Sequence, residues 1–164
     1  MSEFSVRTAR VADRAALLRL SRCLAEFHDQ QGSGGAPVAE PVVRQLLRAL
    51  VLNRSCTVLV AEIDGRVVGC ASTRLVLSPL RRILAQVSGG ARVAHVDVLV
   101  VEDGHRGRGI GTSLLDAVCR WARDRGARNV DLQVHEFNSS AAALYEREGW
   151  CTTGRTMTRA LGPG

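Results

Sequence analysis

The chain contains no lysine; all 22 of its Lys-plus-Arg residues are arginine, against 16 acidic residues, for a formal charge of +6. Without lysine there is no Walker A loop, whose Gly-x-x-x-x-Gly-Lys-Ser/Thr pattern requires that ammonium. Aromatic residues are scarce at 4 %, and the arginines are scattered along the chain rather than clustered. A basic nucleic-acid surface with stacking platforms is therefore poorly supported, and nucleic acid is not an expected partner. No apolar run approaches the roughly 20 residues that span a bilayer. The first residues, Met1-Ser2-Glu3-Phe4-Ser5-Val6, lack the charged-then-apolar layout of a secretory signal. The expectation is a cytoplasmic protein with no membrane partner. Five cysteines, Cys23, Cys56, Cys70, Cys119 and Cys151, are odd in number and show no Cys-x-x-Cys spacing. That pattern argues against a disulfide framework and a zinc site. Buried free thiols are expected, and no metal site.

What remains is an ordinary globular composition: 164 residues, 46 % apolar and 23 % charged. This length fits one domain with a usable core, expected over residues 4–159. The most informative segment is Arg106-Gly107-Arg108-Gly109-Ile110-Gly111. It follows an apolar strand, Val96 to Val101, and opens a helix with Ile110, Leu114, Leu115, Val118, Trp121 and Ala122 on one side. Three closely spaced glycines leave no Cβ to block an approach to the backbone. The first turn of a helix adds unpaired N–H groups and the positive end of its dipole. Two arginines add charge beside it. Such a loop suits an anion, and a pyrophosphate is the obvious candidate.

The elements around it read as follows. A short strand runs Phe4 to Thr8. A helix then runs from near Asp13 to about His28, with a stripe of Leu17, Leu20, Leu24 and Phe27. A loop from Gln30 to Pro37 precedes a second helix from about Pro41 to Leu52. Cys56–Ile63 and Arg66–Leu77 are strands joined by Asp64-Gly65, a hairpin signal. Ser78 to Arg92 is a connecting stretch. After the glycine loop, the helix ends at Gly126 as a C′ residue. Arg128 to His135 is a strand, Asn138 to Arg147 a short helix ended by Gly149, and Trp150 to Arg159 a last strand. The order β-α-α-β-β-β-α-β-α-β predicts a mixed α/β domain with hairpin and crossover connections.

A Rossmann loop fits the glycines poorly. Its third glycine is missing because position 112 is Thr, and Asp131 falls near the start of the expected next strand rather than its end. A third reading, an acyl-CoA loop, comes from a resemblance to a known family. Arg106-x-x-Gly109-x-Gly111 resembles the Gln/Arg-x-x-Gly-x-Gly/Ala motif of the GNAT N-acetyltransferase superfamily. Leu99-Val100-Val101 resembles the Leu-Ala-Val end of that family's fourth strand. Asn138 through Trp150 is similar to its Asn-x-x-Ala-x-x-Leu-Tyr-x-x-x-Gly-Phe signature. The resemblance extends from about Phe4 to Arg159 and implies the family's fold, with acetyl-CoA as co-substrate and an amine as acceptor.

The resemblance also implies roles. Arg106, Gly107, Arg108, Gly109, Ile110, Gly111 and Thr112 would wrap the pyrophosphate. The Leu99 N–H would donate to the carbonyl oxygen as it gains charge. Leu99, Val100 and Val101 would line the thioester and pantetheine arm, Val101 through backbone hydrogen bonds. Asn138, a helix cap by its residue type, would also contact the cofactor. Tyr145, the only tyrosine, would bind the cofactor and protonate the leaving thiolate. Strand alternation places His95, Asp97, Leu99 and Val101 on one face. His95 or Asp97 would be the general base or would orient the amine, with His135 and Glu136 as second-rank candidates. Where the family commonly has Glu, this chain has His95 or Asp97. Glu26, His28, Asp29 and Glu40 flank the early loop; carboxylates there would suit a cationic amine, and an ordinary solvated loop accounts for the same charges equally well.

The expected acceptor is a primary amine of a small molecule or peptide, and a homodimer is compatible. The competing reading is a catalytically silent acyl-CoA-binding module.

Overall fold

The computed structural model describes residues 4–30, 55–76 and 92–154. The chain forms two compact units, Met1–Gln133 and Val134–Gly164. In the first unit, β1 is Ser5–Thr8, α1 is Arg14–Gln30, β2 is Cys56–Ile63, β3 is Arg66–Val76 and β4 is Arg92–Val101. Helix α2 is Ile110–Asp124 and β5 is Ala127–Leu132. Short 3-10 turns occupy Val11–Asp13 and Asp103–His105. The sheet order is β1-β2-β3-β4-β5. The first three pairings are antiparallel and the β4–β5 pairing is parallel.

Local chemistry explains the connections. Asp64 and Gly65 both have positive φ, 48° and 78°. That is the two-residue turn whose twist matches a right-handed hairpin, and it sets Ile63 opposite Arg66. The parallel β4–β5 pair needs a crossover, which α2 supplies. All six expected apolar residues of α2, from Ile110 to Ala122, are buried. Gly126 follows α2 at φ 75°, and its N–H donates to the Arg123 carbonyl at 2.9 Å, a C′ glycine as expected.

Leu17 and Leu20 of α1 pack with Val58, Val60, Cys70, Val98 and Val100 on one face of the sheet. On the other face, Trp121 and Ala122 of α2 pack with Ala94, alongside Leu75 and Val130. Burial raises the thiol of Cys70 to about 12 and also raises that of Cys119. Cys23 and Cys151 are exposed, contrary to the expectation of buried thiols. An apolar neighbour in sequence does not decide which way a side chain points.

Several boundaries move. Asp13 stands just before the start of α1, as expected, and closes a 3-10 turn, while α1 runs on to Gln30 rather than ending near His28. Strand β5 ends at Leu132, so Asp131 stands near its end and not near its start. Gln30, expected to open a loop to Pro37, is the last residue of α1; residues 31–37 of that loop, Glu40, the helix expected from Pro41 to Leu52 and the stretch before Arg92 lie outside the described residues.

The second unit contains α3, Ser139–Arg147. Residues 150–154 form no strand, which corrects the described part of the Trp150–Arg159 expectation; 155–159 lie outside the described residues. The reason is local. Gly149, at φ 81°, donates to the Glu146 carbonyl at 3.0 Å, and the Trp150 N–H donates to the Tyr145 carbonyl at 2.9 Å. These two bonds form a Schellman cap, so the Trp150 amide closes α3 instead of entering a ladder.

Candidate active site

Strand β4 is paired on both sides only part of the way. Its parallel pairing with β5 runs to Val96 opposite Leu132, whereas its antiparallel pairing with β3 continues to Val101 opposite Gly69. From Val98 to Val101, β4 has no ladder partner on the β5 side among the described residues. The Glu102 N–H donates to the Val68 carbonyl at 2.9 Å, across β3. Backbone alternation then directs Val98 and Val100 toward β3, and Leu99 and Val101 toward the open edge.

A β-bulge lies at the same place. Ser72 faces Val98 and Thr73 faces Val96, so Asp97 is the extra residue of β4. The bulge reverses which residues share a face. Before it, Ala94 packs toward α2; beyond it, Val98 and Val100 pack toward α1. His95, opposite Arg74, therefore shares the α1 face, while Leu99 and Val101 turn toward α2. A Cβ on Gly69 would come within 3.3 Å of a Val101 methyl and 3.5 Å of an Ile110 methyl, which places both on that second face. The expectation of one face for His95, Asp97, Leu99 and Val101 fails because simple alternation cannot count the inserted residue.

The polar side chains near the bulge form two pairs. Arg74 Nε donates to Asp97 Oδ1 at 2.8 Å, and His95 Nδ1 lies 2.5 Å from Asp131 Oδ1. Thr73 Oγ1 donates to the His95 carbonyl at 2.8 Å. Arg74 and Asp131 were not among the expected site residues. Only cross-strand register brings them here: Arg74 and Asp131 are the ladder partners of His95 on its two sides.

The glycine loop is fastened to the end of β4. Arg106 Nε donates to the Val101 carbonyl at 3.0 Å, and its guanidinium lies 2.8 Å from Asp103. Glu102 accepts from Arg19 at 2.9 Å and from Arg66 at 3.0 Å. Arg108 Nη1 lies 3.3 Å from His105 Nδ1. Gly107 and Gly109 take φ of 72° and 78°, and a Cβ on either would meet no atom within 4 Å. Ser113 N–H to Gly109 carbonyl, at 3.0 Å, begins the hydrogen-bond ladder of α2. The first-turn N–H groups ahead of it are the kind that bind an anion, with open space beside both left-handed glycines. Gly111 lies within the helix and Thr112 follows it.

In the second unit, Asn138 caps α3: its Oδ1 accepts from the Ala141 N–H at 3.2 Å. Tyr145 lies near the other end of α3, half-buried, with its ring centroid 5.9 Å from that of Trp150. Burial raises the Tyr145 phenol above its usual 10. His135 stacks on Phe137 at 5.0 Å. The first unit thus gathers His95, Asp97, Leu99, Val100, Val101 and Arg106 through Thr112. Asn138 and Tyr145 belong to the second.

Among the described residues there is no cluster of metal-binding side chains and no helix long and apolar enough to cross a membrane. The chain is 28 % identical over 146 residues to the uncharacterized N-acetyltransferase YhfO of Bacillus subtilis, covering 89 % of each chain. It is 32 % identical over 93 residues to the glucosamine 6-phosphate N-acetyltransferase of Trypanosoma brucei brucei, covering 57 % of this chain and 56 % of that protein. The structure of a mutant BH1408 protein from Bacillus halodurans superposes with a TM-score of 0.78 at 25 % identity, covering 96 % of this chain and 99 % of that one. The model of the acetyltransferase (GNAT) family matches residues 23–150. The chain belongs to the GNAT acetyltransferase family and is an acetyl-CoA-dependent N-acetyltransferase.

Proposed function

We propose that the chain, as one acetyltransferase domain over residues 4–159, moves acetyl from acetyl-CoA to a primary amine of a small molecule or peptide by direct attack. The observation that carries this reading is the loop at the end of β4. Gly107 and Gly109 leave open space before the first turn of α2, beside the edge of β4 where Leu99 and Val101 face outward. Those features fit the anionic pyrophosphate and the amide-bearing arm of a CoA ester.

When bound, acetyl-CoA supplies an acetyl group activated as a thioester. Arg106 through Thr112 hold its pyrophosphate, with backbone N–H groups at the glycines and charge from Arg106 and Arg108. Asn138 adds a contact to the cofactor. Leu99, Val100 and Val101 line the arm. The Leu99 N–H donates to the carbonyl oxygen as the amine nitrogen attacks the carbonyl carbon. Removing one preorganised side-chain donor from an oxyanion hole costs about 2.7–4 kcal/mol, and a fixed backbone N–H acts by the same electrostatics. The new C–N bond forms as the C–S bond breaks, and Tyr145 gives its phenolic proton to the departing sulfur. Its raised pKa keeps that proton in place at neutral pH. His95 or Asp97 accepts the proton lost by the amine. The name of the Trypanosoma relative, an enzyme of an amino sugar phosphate, supports the small-molecule arm of the proposal.

The test mixes the protein with acetyl-CoA and a panel of amino sugars, aminoglycosides, polyamines and peptides, and follows free thiol. Thiol release that depends on one amine class, with an acetylated product of matching mass, is expected. Binding of acetyl-CoA with thiol release no faster than hydrolysis across the panel overturns the proposal in favour of a silent acyl-CoA-binding module.

A further inference from the structure

His95 and Asp97 have different partners. Asp97 Oδ1 is engaged by Arg74 Nε at 2.8 Å, so part of its acceptor capacity is directed along the sheet surface. His95 Nδ1 meets Asp131 Oδ1 at 2.5 Å, across the last pairs of the parallel ladder. An ionised carboxylate can only accept a hydrogen bond, so the ring hydrogen sits on Nδ1. In the neutral ring the lone pair is then on Nε2. No described residue engages Nε2. The His95 side chain is 21 % exposed, enough for access, and its backbone carbonyl is fixed by Thr73 Oγ1 at 2.8 Å.

We propose that Asp131 is a positioning residue that holds His95 in its Nδ1–H tautomer, leaving Nε2 to take the proton of the acceptor amine. This inference rests on the acetyl-transfer reading above and chooses between its two candidate bases. The amine N–H bond breaks as the C–N bond forms, and the proton passes to Nε2. The resulting imidazolium keeps its Nδ1–H on Asp131, whose charge offsets the new positive charge. Asp131 is 53 % exposed, so its replacement leaves no hole in the core.

The experiment uses the full chain labelled with 15N and reads histidine ring nitrogens at a pH where the rings are neutral. His95→Gln assigns the His95 signals by their loss. The wild type is expected to show His95 as the Nδ1–H tautomer, and Asp131→Ala to move it toward Nε2–H. In the thiol assay, Asp131→Ala is expected to lower kcat about 10-fold or more, part of the roughly 10²–10⁴ that general-base help supplies. KM for acetyl-CoA should stay within about twofold, since the pair does not touch the glycine loop. A wild-type Nε2–H tautomer, which would leave no lone pair on Nε2 to take the amine proton, overturns the role of Asp131. So does an Asp131→Ala variant at wild-type kcat while His95→Gln is impaired. His95→Gln at wild-type turnover overturns both assignments, while amine-dependent thiol release still stands as evidence for transfer.

Discussion

The indole of Trp150 lies against the phenol ring of Tyr145, with centroids 5.9 Å apart, and the Trp150 amide donates to the Tyr145 carbonyl at 2.9 Å. One residue thus holds the other by main chain and side chain together. The Schellman cap commonly carries an apolar contact between these two helix positions, and here both partners are aromatic. Burial of the phenol raises its pKa.

Tyr145→Phe keeps the ring contact and removes only the hydroxyl. The expected result is a kcat lowered about 10²-fold or more with acetyl-CoA affinity within about twofold, as for loss of a general acid. On the alkaline side, loss of the Tyr145 proton should lower wild-type turnover only above about pH 10, because the folded phenol binds its proton more tightly than a free one. The linked stability follows the same sign: it is fully present below the unfolded value near 10 and is lost as pH rises through the folded value. Tyr145→Phe should lack that alkaline loss. An unchanged kcat, with chemistry shown to be rate-limiting, would falsify the assignment.

Gly109 and Gly65 both have φ of 78°, and neither has an atom within 4 Å of a built Cβ. A side chain at either position costs about 1–3 kcal/mol of backbone strain. Their surroundings differ: one opens α2 beside Arg106 and Arg108, the other turns a hairpin. Gly109→Val and Gly65→Val should therefore lower the melting temperature by similar amounts. Only Gly109→Val should weaken acetyl-CoA binding sharply, by about tenfold or more, in calorimetry. Equal affinities in the two variants would remove the glycine loop from the cofactor site.

Asp13 is buried and receives both ends of the Arg7 guanidinium, at 2.8 and 2.9 Å. It also accepts from the Arg10 N–H at 2.6 Å. The Arg7 hydrogen bonds hold its carboxyl below the usual 3.8, with burial opposing them. Its stabilisation is therefore present above pH 4 and is lost as pH falls through the folded value. Asp13→Asn should cost about 1–3 kcal/mol in urea unfolding at pH 7. It should also flatten the acid side of the stability profile. A variant as stable as the wild type, with the same acid limb, contradicts this account.

Much of the architecture was legible because its signals are local. The Asp64-Gly65 turn and β2 over Cys56–Ile63 follow from residues within a few positions of one another. So do the buried stripe of α2, the Asn138 cap and the terminating Gly126 and Gly149. Helical period, turn chemistry and capping act over a single turn or hairpin. The loop motif and the Asn138-to-Trp150 signature were legible for the same reason, since each is a short contiguous string.

Three features were not legible. The bulge at Asp97 arises from how β3 and β4 align, and it moves His95 to the face opposite Leu99. The Trp150 amide reads as the start of a strand until it is seen closing α3. Asp131 stands 36 positions from His95 and becomes its partner only through parallel register.

Residue order alone therefore determined the fold class, the family and most of the described elements, with the glycine loop between β4 and α2 among them. Only the tertiary structure decided which side chains share a face of β4 and which carboxylate meets which base. Register is set by packing of the whole sheet, and one inserted residue reverses every side chain beyond it.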